Sequence, residues 1–124
     1  MKIKVITSEN FRKKAKRLLK KYRSLKTELQ NLETQLMENP ELGVLLDNDC
    51  YKIRIAIESK GKGKSGGARV ITHVVIRVNQ DSDETKIVGL VTIYDKSEYD
   101  DISDSELIKL VNEIKIEIDN IVTD

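Results

Sequence analysis

The stretch RVITHVVIRVNQDSDETKIVGLVTIY, residues 69–94, holds two runs of β-branched and apolar residues joined by a polar connection, NQDSDET. Both runs, 69–78 and 86–94, are apolar on both faces, the pattern of central strands covered from two sides. The connection has the turn chemistry of a hairpin. The two runs are therefore expected to pair antiparallel in the middle of a sheet.

Upstream, YKIRIAI (51–57) alternates: Tyr51, Ile53, Ile55 and Ile57 on one face, Lys52 and Arg54 on the other. This is expected to be the first strand, in chain order, of a three-stranded meander. KIKVI (2–6) is a short strand expected to join the edge. From Ser8 the period changes. Phe11, Ala15, Leu18, Leu19 and Tyr22 form one helical stripe, and seven Lys and Arg between 12 and 21 fill the other faces. Ser24 is placed as the N-cap of a second helix carrying Leu25, Leu29, Leu32 and Leu36, which Pro40 stops. Downstream, SDSE (103–106) has the spacing of a capping box, and Leu107, Leu110, Val111, Ile114, Ile118 and Ile121 run down one stripe after it. The expected architecture is α+β in a single domain over residues 1–124. A small antiparallel sheet, in the order β-α-α-β-β-β-α, carries a helix pair and a C-terminal helix against a face.

Composition bounds the function. The chain of 124 residues is 39% hydrophobic and 35% charged, with one Phe, four Tyr and no Trp. No apolar run approaches the roughly 18 residues of a membrane span. The first residues, MKIKVITSEN, lack the apolar core of a signal peptide, so a cytoplasmic location is expected. Cys50 is the only cysteine and His73 the only histidine, too few for a disulfide or a His/Cys metal site, so no metal and no cofactor are expected. Cys50 reads as a small semi-buried residue, and His73 as core packing in register with Arg69 and Ile71. The net charge of +1 conceals an asymmetry: residues 1–80 carry 18 Lys+Arg against 8 Asp+Glu, and residues 81–124 carry 4 against 13. That distribution fits a basic working surface for a polyanion, with the acidic segment elsewhere or screening it; it fits two solvated charged helices equally well.

Between the first two strands of the meander lies ESKGKGKSGGARVI (58–71), with three lysines, an arginine and four glycines. A phosphate-binding P-loop is excluded by spacing: Gly63-Lys64-Ser65 ends one, but the required first glycine falls on Glu58, and a strand follows instead of a helix. A solvated hairpin tip remains open on composition alone. Against it, Lys60, Lys62 and Lys64 alternate with glycines and can bring ammonium and N–H groups close to a phosphodiester. Arg69 opens the following strand and Arg54 projects from the polar face of the preceding one. Tyr94 and Lys96, in IYDKSE, close the last strand level with Arg69, where Tyr94 either packs the strand end or stacks on a base.

Taken together, SKGKGKSGGARVI and IYDKSE resemble the RelE/HigB-like toxins of bacterial type II toxin–antitoxin modules, within the RelE/ParE superfamily. The resemblance extends over the helix pair, the central hairpin and the terminal helix. It implies a metal-independent, ribosome-dependent mRNA endoribonuclease held inactive by a cognate antitoxin. By position it implies Arg69, Tyr94, Lys96 and Lys64 as catalytic residues and Arg54, Lys60 and Lys62 as RNA-binding ones. The superfamily also contains gyrase-directed toxins, so a toxin or binding module without ribonuclease activity is the alternative.

Overall fold

The computed structural model describes residues 1–61, 66–99 and 101–121. The chain runs β1 (Lys2–Thr7), α1 (Glu9–Lys21), α2 (Leu25–Glu38), β2 (Val44–Leu45), β3 (Cys50–Ile55), a 3-10 turn (Glu58–Lys60), β4 (Ala68–Val78), β5 (Glu84–Asp95) and α3 (Asp104–Asp119). The expected α+β class holds, and β3, β4 and β5 form the antiparallel meander. Two details differ. The sheet has five strands, ordered β1-β5-β4-β3-β2, because the two-residue β2 adds itself antiparallel to β3. The sheet is also mixed and not antiparallel, since β1 pairs parallel with β5, Lys2 opposite Thr85 through Thr7 opposite Leu90. A strand separated from its neighbour by two helices and three strands is under no hairpin constraint, so its direction is free to be parallel.

The helices take opposite faces of the sheet. Phe11, Leu18, Leu25, Leu32 and Leu36 of α1 and α2 close over Ile53, Val70, Val88 and Ile93. Leu107, Leu110, Ile114 and Ile118 of α3 close over Ile71, Ile87 and Val91. Double coverage explains why β4 and β5 are apolar on both sides. Gly89 of β5 seats α3: a Cβ there would lie 2.5 Å from Ile114 Cδ1. The expected capping box is partly realised, with Ser103 Oγ accepting from Glu106 N at 3.2 Å. Ser8 caps α1 by accepting from Phe11 N at 2.9 Å. Ser24 stands at the N-cap of α2 but makes no capping bond; its hydroxyl meets Glu28 Oε1 at 3.1 Å and Ser59 Oγ at 2.9 Å instead.

One irregularity positions everything downstream. Thr72 pairs with Leu90 but Ile71 pairs with Thr92, leaving Val91 unpaired as a β-bulge. The extra residue shifts the alternation of β5, so Val88 and Leu90 face α1 and α2 before it and Ile93 after it. Tyr94 is thereby delivered to the α3 side and Asp95 to the other.

Candidate functional site

Three site residues stand in one cross-strand row: Arg54 pairs with Arg69, and Arg69 with Tyr94. Directly paired residues share a sheet face, so all three lie on the side that α3 covers, with Tyr94 packed in the same core as α3. The two arginines differ in access: Arg69 is 4% exposed, whereas Arg54 is exposed. Like charges placed directly opposite one another destabilise a sheet, and no carboxylate lies within ion-pair distance of Arg54 among the described residues.

The surroundings of Tyr94 set its chemistry. Its hydroxyl donates to Asp101 Oδ1 at 3.2 Å, and the same oxygen receives Ile102 N at 2.9 Å and Lys52 Nζ at 3.4 Å. Burial, then the negative charge and hydrogen bond of Asp101, push the phenol up to about 12, with Arg69 opposing. At neutral pH it is therefore a proton donor and not a base. Burial would raise the Asp101 carboxyl, but the Ile102 N–H, Lys52 and Tyr94 outweigh it and hold the group below its usual range as an anion. Tyr99 meets the Tyr94 ring edge-on, centroids 6.1 Å apart and planes at 78°, while Lys14 Nζ lies 5.8 Å from the Tyr99 centroid. Tyr99 itself is 48% exposed.

Lys14 reaches this cluster because β1 ends opposite Leu90, so the last residues of β5 have no strand on the β1 side, and α1 packs against β5. Arg17 of the same helix pairs with Glu98 at 2.9 Å.

Lys60 does not join the row. Its ammonium pairs with Asp95, whose partner Ala68 belongs to the core under α1 and α2. The sheet thus separates Lys60 from Arg69 and Tyr94. Lys96 follows on the strand end, half-buried, with its N–H bonded to Gly67 O at 3.0 Å. Lys62 and Lys64 lie outside the described residues.

Lys52, Tyr99, Asp101 and Lys14 complete the cluster beyond the expected set. The alternation of Lys52 with Arg54 already placed both on one strand face. Tyr99 and Asp101 sit in an irregular segment with no periodicity, and Lys14 was one of seven helical cations; nothing in the sequence singled them out.

Cys50 and His73 pack beneath α3, Sγ to Nδ1 at 3.7 Å, both fully buried. Burial pushes the Cys50 thiol up to about 12 and holds His73 below its usual value, so at neutral pH both are uncharged. Among the described residues no three His, Cys, Asp or Glu are grouped to hold a metal ion, and no helix is long and apolar enough to cross a membrane.

No protein-family model matches the chain.

Proposed function

We propose that this chain is a RelE/ParE-like toxin that cuts mRNA on the ribosome and is neutralised by a cognate antitoxin. The observation that carries the reading is the Arg54–Arg69–Tyr94 row with Tyr99 beside it: two guanidinium groups, a protonated phenol and an exposed aromatic ring on one face of the sheet. Guanidinium groups stabilise charge on a phosphorane, and an aromatic face holds an unstacked base.

In this reaction the RNA supplies its own nucleophile. The 2′-oxygen bonds to phosphorus as the P–O5′ bond breaks, leaving a cyclic phosphate and a free 5′-hydroxyl. One proton leaves the 2′-hydroxyl and one reaches O5′. Arg54 is the exposed cation that meets the phosphate, while Arg69 acts from beneath as a fixed positive charge. Tyr94, held protonated, belongs on the acid side, delivering the proton to O5′. Lys96 and Lys64 are the candidates for accepting the proton of the 2′-hydroxyl.

Expression without antitoxin should arrest bacterial growth and produce new 5′ ends within translated messages. Arg69→Ala should lower cleavage by about 10²–10³-fold, the scale of losing one charge-stabilising donor. Full toxicity of that variant would remove Arg69 from the mechanism. The near-complete burial of Arg69 favours a second reading, a toxin of the same fold that binds and inhibits without cutting RNA. Intact mRNA together with accumulating DNA damage in arrested cells would select it.

A further inference from the structure

We propose that Asp95 is a positioning residue for this site, holding the strand end and the base of the 61–66 connection in one register, and that Lys60 serves this anchor and not the RNA. Its carboxylate is fully buried. Oδ1 accepts from Lys60 Nζ, from Ser97 N at 2.9 Å and from Ser97 Oγ at 2.7 Å, and Oδ2 accepts from Tyr22 OH at 2.6 Å. Lys60 Nζ also reaches Ser97 Oγ at 3.2 Å and lies 5.6 Å from the centre of the Tyr22 ring. Only 9% of the Lys60 side chain is exposed, so its ammonium is committed.

Two consecutive residues, Asp95 at the end of β5 and Lys96 after it, hold both ends of the connection. Asp95 holds the leading end through Lys60. The next residue, Lys96, holds the trailing end through its N–H to Gly67 O at 3.0 Å. Gly67 is pressed on the other side against β3, where a Cβ would lie 2.0 Å from Ile55 O. The 3-10 turn before Gly61 is seated independently on the start of α2, with Ser59 N donating to Ser24 Oγ at 2.9 Å and Glu58 N to Glu28 Oε2 at 2.6 Å.

A buried ion pair is a poor device for stability, because desolvation offsets the attraction; the role assigned to this one is to specify one arrangement. Register is what needs specifying here. The bulge at Val91 lies just upstream, and a slip of one residue beyond it would turn Tyr94 to the opposite face, out of the row with Arg69. Asp95, between Tyr94 and Lys96, prevents that slip.

The catalytic consequence rests on the proposed function; the anchoring does not, and the test separates them. Purified Lys60→Met, Lys60→Arg and Asp95→Asn chains are compared by hydrogen exchange and by cleavage of ribosome-bound mRNA at several salt concentrations. For Lys60→Met and Asp95→Asn, exchange at the Gly61 and Lys96 amides should rise at least tenfold, with kcat down at least tenfold and KM within twofold. Lys60→Arg should restore protection and kcat, and Ile118→Val, a stability control in the α3 core, should keep wild-type kcat. If Lys60→Met leaves amide protection unchanged, or raises KM and lowers the salt slope by about one as loss of a phosphate contact would, the proposal is overturned. Should Asp95→Asn not fold, the two Lys60 variants decide. Should the wild-type chain cut no RNA, the functional reading fails while the exchange data still decide the anchor.

Discussion

At the residue scale, the decisive contrast is between adjacent side chains sent to opposite faces. Tyr94 and Asp95 are neighbours, yet one sits under α3 with a raised pKa and the other under α1 and α2 with a lowered one. Burial alone would raise both; Asp95 is reversed by hydrogen bonds from Lys60, Tyr22 and Ser97. Tyr94→Phe keeps the ring and deletes only the hydroxyl. We expect a stability change of about 1 kcal/mol in urea unfolding, since one hydrogen bond to a partly solvated carboxylate is lost. Single-turnover cleavage should fall about 10²–10⁴-fold if the phenol is the general acid. A phenylalanine variant that cuts at the wild-type rate would leave Tyr94 as packing. The position of Tyr94 was legible in the sequence, as the end of an apolar run. Its protonation was not, because it depends on Asp101, seven residues on in a segment without periodicity.

At the element scale, the central strands and three helices were readable to within two or three residues, because each is a window of consistent period bounded by Ser, Pro or polar turn residues. β2 escaped notice, since two residues carry no period. Helix placement also escaped notice: the same stripe would pack on either face, and only the double-sided apolar character of β4 and β5 hinted at two. Gly89 records the choice for α3. Gly89→Ala should cost about 1–3 kcal/mol in thermal or urea unfolding, the range for overpacking against a side chain that can partly yield. A neutral result would mean that α3 is not closely seated there. Ser103→Ala should cost about 1 kcal/mol by the same measurement, through loss of the α3 N-cap bond to Glu106.

At the scale of the whole molecule, the titrating groups bracket a stability plateau. Tyr94 and Cys50 hold their protons more tightly when folded, from ordinary values of 10.0 and 9.0 to about 12 each. Their contribution is complete at neutral pH and is lost as pH rises above about 9. His73, held below 6.5, and Asp95 and Asp101, held below 3.8, bind protons more readily when unfolded. Their contribution is lost as pH falls, first below about 6.5 and again below about 4. Urea midpoints should therefore be highest between about pH 7 and 9. A midpoint that continues to rise above pH 9 would contradict the burial of Tyr94 and Cys50.

The amino-acid order by itself determined the α+β class, the central hairpin, the helix starts and a chain whose first 80 residues are basic and last 44 acidic. Those are properties of short windows or of composition, and survive any arrangement of the elements. Only the tertiary structure decided the parallel pairing of β1, the faces taken by the helices, and the fate of the charges. Arg12 meets Glu117, Arg17 meets Glu98, Lys60 meets Asp95 and Arg77 meets Asp119, so the acidic segment folds back onto the basic one. Coulomb interaction depends on distance in space, and separation along the chain says nothing of that distance once the chain is folded. For the same reason Lys60 and Arg69, nine positions apart in one basic stretch, end on opposite sides of the sheet: Lys60, in a 3-10 turn, follows the distant Asp95, and the face of Arg69 is set by strand pairing, neither of which a local window contains.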